Sequence, residues 1–272
     1  MATMPAKTSE RIKTSLKRFQ PILLSAKTRD VNESDTVVIV TDVLEHIFGY
    51  DKYTEISSER AIRGTYCDLA IKIDGDLQFL MEVKAIGLEL KSQHIKQAVD
   101  YAANEGIEWV GLTNGVDWKM YKVSFGKPIN FETVIEFNLL NLSIKEQSDI
   151  EMLGLLAKES WQKARLEQYF SVKQILNRFT IGALLMTNPI IDVIRRELRR
   201  LSPDIKATEE EIISILQKDI IKREVLEGEK AQQAQKQMAK AGRRALRKTR
   251  EEAEAVANDE AEQGAVEPGV AT

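Results

Sequence analysis

The sequence predicts an α/β protein: a mixed sheet with helices on its faces, followed by an α-helical C-terminal region. Three observations carry that prediction. Residues 67–84 (CDLAIKIDGDLQFLMEVK) alternate apolar and polar positions on either side of Asp74-Gly75-Asp76, which is the pattern of a β-hairpin. A helical stretch and then a Val/Trp-containing strand follow directly, and strand–helix–strand implies parallel pairing through a crossover. From residue 144 the apolar spacing is helical and stays so.

Taken in order, residues 1–33 read as a basic helical arm. Arg11, Lys13, Lys17, Arg18 and Lys27 lie within a helical stretch at 8–27, whose cations either touch phosphates or form a solvated helix face. The next segment, NESDTVVIVTDVLEHIFGY, is rich in Val and Ile but spaced as a helix. Ser34 or Asp35 caps it, Val37, Val40, Leu44, Ile47 and Phe48 form its stripe, and Gly49 stops it. Glu45 lies near its C-terminal end. Residues 54–65 carry a strand toward the hairpin, with Glu59 nine residues ahead of Asp68.

The hairpin register follows from parity. Centred on Gly75, it sets Leu69 beside Met81, Ile71 beside Phe79 and Ile73 beside Leu77, giving one continuous apolar face. The same register sets Asp68 opposite Glu82, with Lys84 pointing the same way. A slip by one residue would turn Asp68 onto the apolar face. Two carboxylates at one spot suit Mg²⁺, which takes one or two carboxylates together with substrate phosphate. The Lys84 ammonium is then placed to orient or help deprotonate an attacking water. A bare D…ExK is a weak signal, since charged residues alternate along many half-exposed strands.

After Lys84, residues 89–104 read as a helix with Gln93, Gln97 and Tyr101 on one stripe. A strand at 108–113, an Asn114-Gly115 turn and a strand through DWKMYKV complete a domain at 34–143. Residues 144–227 form a helical region, with patterns at 149–170, 172–186, 190–201 and 208–227, and Thr208 with Glu211 makes a capping box. Its amphipathic stripes need a partner surface, and a homodimer through these helices is expected. Residues 228–272 are a charged, partly disordered tail carrying a basic block at Arg243, Arg244, Arg247, Lys248 and Arg250.

Composition removes several classes of function. The chain has 272 residues with 43% hydrophobic and 30% charged, and no apolar run approaches a membrane span. The start, MATMPAKTSERIK, lacks the apolar core of a signal peptide, so a cytoplasmic protein is expected. One cysteine, Cys67, allows no internal disulfide, and with only His46 and His94 a Cys/His zinc site has no ligand set. Cys67 reads as a small buried hydrophobe. The net charge of −3 is unevenly spread: seven acids and no bases follow Arg250, leaving 39 bases against 35 acids before it. Charge therefore neither supports nor excludes DNA.

The order of elements, with Phe48-Gly49-Tyr50 leading to Glu59, then Asp68, then Glu82-Val83-Lys84-Ala85, then Gln97-xxx-Tyr101, resembles the PD-(D/E)xK nuclease superfamily. Within it, the chain is most similar to the N-terminal nuclease domain of type I restriction enzyme R subunits. Leu112-Thr113-Asn114-Gly115-Val116-Asp117-Trp118 followed by Tyr121 adds to the likeness, which covers roughly residues 35–125. The resemblance implies a restriction-endonuclease-like core and a Mg²⁺-dependent DNA endonuclease of restriction or phage-defence type, with Mn²⁺ able to substitute. It implies that Asp68 and Glu82 hold the metal with the Val83 carbonyl, and that Lys84 positions the attacking water. Gln97 and Tyr101 would contact the DNA backbone or brace the site, and Glu59 or Glu45 would supply a further acid. Cys67 stands where the superfamily name has Pro. No GxxxxGK[ST] loop occurs, so no P-loop motor is present and other restriction or defence subunits are expected partners. The alternative is a nuclease-fold module that binds nucleic acid or a partner protein without cutting.

Overall fold

The computed structural model describes residues 4–62 and 65–243, giving for 59–62, 65 and 66 the backbone only. The chain divides into two units, 1–171 and 172–272, with the boundary inside one helix. The 143/144 boundary expected from the change in periodicity is therefore too early. Residues 144–171 pack with the sheet because Ile150, Leu153, Leu155, Leu156 and Leu166 complete its core.

The first unit opens with α1 (Ala6–Thr28) and α2 (Glu33–Val43), which runs on into a π-helical turn (Leu44–Phe48). The Val/Ile-rich segment is thus helical, as its spacing requires. Its cap is Asn32, whose side chain accepts from Asp35 N at 2.9 Å, two or three residues before the expected Ser34 or Asp35. The sheet comprises β1 (Ile56–Ile62), β2 (Thr65–Ile73), β3 (Asp76–Val83), β4 (Trp109–Thr113), β5 (Asp117–Ser124) and β6 (Asn130–Asn138), in that spatial order. β3 and β4 pair in parallel across α3 (Ser92–Glu105), and the other neighbours are antiparallel. β6 extends the sheet beyond the strands expected from the sequence.

Alternation gives the sheet two buried faces. Leu69, Ile71, Phe79, Met81 and Trp118 join Ile12, Leu16, Phe19 and Leu23 of α1 and Val40 and Val43 of α2 in one core. Ala70, Leu80, Val110 and Leu112 pack on Ile95, Ala98, Val99 and Ala102 of α3 in the other. The result is helix on sheet on helix. Residues 1–33 are accordingly no peripheral arm: Ile12, Leu16, Phe19, Leu23 and Ala26 bury a full stripe. Arg11, expected to meet phosphate or solvent, instead donates to Ile47 O and Phe48 O and pairs with Glu159 at 2.6 Å.

Arg11 also crowds Gly49. Gly49 ends the π turn at φ +85°, and an added Cβ would lie 2.6 Å from the Arg11 guanidinium carbon. Gly49→Ala should lower unfolding stability by more than ~1 kcal/mol, through the left-handed backbone and the displaced guanidinium together. Urea denaturation checks this.

α4 (Gln147–Gly154), α5 (Lys158–Trp161) and the first part of α6 (Arg165–Ile175) close the first unit. Tyr50 ties them to the π turn through its hydroxyl, which donates to Leu156 O at 2.8 Å. The second unit contains α7 (Arg178–Leu185), α8 (Asn188–Leu201), α9 (Glu209–Ile215) with a π-helical turn (Leu216–Ile220), α10 (Arg223–Leu226) and a further helical stretch at 229–243. Thr208 and Glu211 form the expected capping box. Only Ile191, Ile212 and Leu216 form its described hydrophobic cluster, while Leu201, Leu176, Ile175 and Ile220 are exposed. Of the basic block, all but Arg243 lie outside the described residues, as does most of the expected disordered tail. No described helix is long and apolar enough to cross a membrane.

Candidate active site

The site lies where β2 and β3 part company. Their register is Leu69–Met81, Ala70–Leu80 and Ile71–Phe79, as parity requires. Nearer the turn it differs: Ile73 pairs with Asp76, and Lys72 with Leu77. Asp74 and Gly75 both have positive φ, 53° and 88°, so the reversal is a two-residue turn of the kind Asp-Gly favours. Gln78 is the extra residue of the bulge that restores the register. The bulge keeps Asp68 in step with Glu82.

At Asp68 the strand partnership passes from backbone to side chain. Asp68 Oδ2 accepts the Val83 N–H at 2.7 Å, which fixes its carboxylate one residue from Glu82. Glu82 is buried, 6% exposed, on the face toward α3. Lys84, just beyond β3, donates its ammonium to Glu82 Oε1 at 2.6 Å, and its own N–H bonds Thr113 O at 2.8 Å. These contacts sit at the carboxyl end of the parallel β3–β4 pair, the end at which open α/β sheets bind ligands.

A third acid joins them. Glu33, in the first turn of α2, reaches Lys84 Nζ at 3.6 Å. The structure does not bring Glu45 here: it pairs with Lys52 at 3.2 Å on the π turn, beside His46. Glu59 lies in β1 between the Ser58–Leu69 and Arg60–Cys67 pairs, in the rank of Asp68, and its side chain is outside the described residues. Gln97 is exposed on α3, whereas Tyr101 is buried within the α3-side core. The structure thus places Tyr101 in that core and not on the exposed stripe with Gln97. Cys67 is buried, as a small hydrophobe is, but packs with Ala70 and Leu80 rather than with Leu69.

The electrostatics follow from crowding. Burial pushes the Glu82 carboxyl up from its ordinary value, and the Asp68 and Glu33 charges push the same way against Lys84. For Lys84 burial pulls the other way, but Glu82, Asp68 and Glu33 outweigh it and raise the ammonium. Lys84 therefore holds its proton at neutral pH, and the excess negative charge around it is the kind a divalent cation relieves. Among the described residues no group of three or more His, Cys, Asp or Glu forms a ready metal cage. Asp68 and Glu82 remain a chemically suitable pair of hard oxygen donors for Mg²⁺ completed by water and phosphate.

The raised Glu82 carboxyl sets a pH dependence. A group raised in the folded state stabilises below its unfolded pKa and loses that contribution as pH rises through the folded value. A cation bound at Glu82 must displace that proton. Mg²⁺ affinity should therefore fall on acidification, starting above the usual glutamate range, in calorimetric titrations from about pH 8 to about pH 5.

Nearby loops are held by Asn114. Its Oδ1 accepts from Val116 N at 3.1 Å and Asp117 N at 2.7 Å, and its Nδ2 donates to Leu88 O at 2.9 Å, pinning the loop that follows Lys84. The β4–β5 connection is consequently a three-residue loop, 114–116, closed by the Thr113–Trp118 pair, rather than a two-residue Asn-Gly turn. No family model, curated protein or solved structure matches the chain. The six-stranded mixed sheet with helices on both faces defines an α/β protein, and its function is argued from the site alone.

Proposed function

We propose that the protein is a Mg²⁺-dependent deoxyribonuclease of the PD-(D/E)xK kind, cutting phosphodiester bonds in restriction or phage defence with partner subunits supplying any motor. The observation that carries this reading is the meeting of Asp68, Glu82 and Lys84 at the end of β3, with Glu33 behind Lys84. Asp68 and Glu82 would hold the cation. Mg²⁺, when bound, supplies Lewis-acid stabilisation of phosphate charge and lowers the pKa of water.

The chain's own residues do the rest. Asp68 is pre-positioned by the Val83 N–H, so its ligand geometry is set by the sheet and not by a loop. Lys84 keeps its proton, so it acts as a cation that orients the attacking water and stabilises charge on the phosphate, not as a base. Glu33 and Glu82 grip the ammonium from two sides and fix its direction. Incubation of supercoiled plasmid with Mg²⁺, with and without chelator, tests the proposal: chelator-sensitive nicking supports it.

The exposed Leu176, Leu201 and Ile220 of the second unit support the further reading of a homodimer through the C-terminal helices. Light scattering at micromolar concentration should give twice the chain mass; a monodisperse monomer ends that reading.

A further inference from the structure

A cavity of about 610 Å³ lies in the first unit among α1, α4 and α6, lined by Met4, Met152, Leu155, Tyr169 and Arg165. That volume is in the range of small-ligand sites. Arg165 is 6% exposed, yet its Nη1 makes only one hydrogen bond, 3.2 Å to Ser160 Oγ, and its buried Nε has no partner. No described carboxylate forms an ion pair with it. A guanidinium does not shed its proton, so a buried one without an anion carries an unrepaid desolvation cost.

We propose that this cavity binds a small monoanion with an apolar body: a carboxylate on an alkyl or aryl chain. The carboxylate meets the free edge of the Arg165 guanidinium, and the chain lies along Met4, Met152 and Leu155. Two acids also line the cavity, and both are already engaged. Asp149 Oδ2 accepts from Ser143 N at 2.8 Å, and Glu151 Oε1 accepts from Gln147 Nε2 at 3.1 Å. Their charge penalises a phosphate dianion more than a monoanion, which selects the carboxylate. The apolar wall selects the chain. The site is separate from Asp68 and Glu82, and its test does not depend on the nuclease reading.

Calorimetric titration of the full chain with octanoate and with octanamide, its uncharged analogue, tests the proposal. Octanoate should bind at least about tenfold more tightly, in the range a charge-assisted pair supplies. Arg165→Gln should abolish that preference. Met152→Trp, which fills the cavity and leaves Arg165 in place, should weaken octanoate binding by a similar factor, and it decides the matter if Arg165→Gln does not fold. Failure of the parent to bind octanoate, equal binding of the two probes, an undiminished preference in folded Arg165→Gln, or undiminished octanoate binding by folded Met152→Trp overturns the assignment.

Discussion

Asp68→Asn should abolish both plasmid cleavage and the stabilisation that Mg²⁺ confers. The substitution is close to isosteric, and an Asn side-chain oxygen still accepts the Val83 N–H that Asp68 Oδ2 accepts now. The junction between β2 and β3 is therefore kept. What is lost is one of the two carboxylates proposed to hold the cation, and with it most of the attraction such a pair would have for a divalent ion. One of the charges that push the Glu82 carboxyl up is also removed, so the metal-free variant should melt no lower than the parent. Melting with and without Mg²⁺ separates the two effects: the parent shifts upward, and Asp68→Asn does not. A variant that simply unfolds would lower both curves.

Lys84→Ala should act on the chemistry and spare the metal. It removes the ammonium that would face water and phosphate, so cleavage should fall by at least ~10²-fold, the range that positioned acid–base and electrostatic groups supply. It leaves Asp68 and Glu82 in place and takes away a positive charge 2.6 Å from Glu82 Oε1. Mg²⁺ affinity should therefore hold or improve. Losing Lys84 also removes the hydrogen bond that opposes the rise of the Glu82 carboxyl, so the comparison belongs at about pH 8, where a proton does not compete. Equal loss of cutting and of metal binding would mean that Lys84 maintains the site's shape and does not act on substrate.

The part of this site that is local in sequence was legible there. Alternation fixes which residues of β2 and β3 share a face, and burial of Leu69, Ile71, Phe79 and Met81 forbids the slipped register. The turn is not legible in the same way, because parity counts residues and cannot see a bulge: Gln78 restores a register that the two-residue Asp74-Gly75 turn would otherwise shift. Glu33 was out of reach for a different reason. Its approach to Lys84 depends on how α2 crosses the end of β3, and nothing in the spacing of NESDT encodes that crossing. Glu45 fitted the expected helix equally well, but the π turn carries it to Lys52.

α1 shows the opposite error. Ile12, Leu16, Phe19 and Leu23 recur at helical spacing and announce a buried stripe, although cations stand between them. Long basic side chains decorate the outer face of a core helix as readily as they form an arm. Tyr101 makes the same point on α3. Its spacing puts it on the Gln93–Gln97 stripe, yet its ring is enclosed with Ile95, Val99 and Leu112.

Supercoiled plasmid reports directly on whether Asp68, Glu82 and Lys84 cut DNA with the help of a divalent cation. Purified protein incubated with plasmid and Mg²⁺ should yield nicked or linear product, lost with chelator and with Asp68→Asn. Plasmid that stays supercoiled with Mg²⁺ and with Mn²⁺, or product that forms equally with Asp68→Asn, would contradict it.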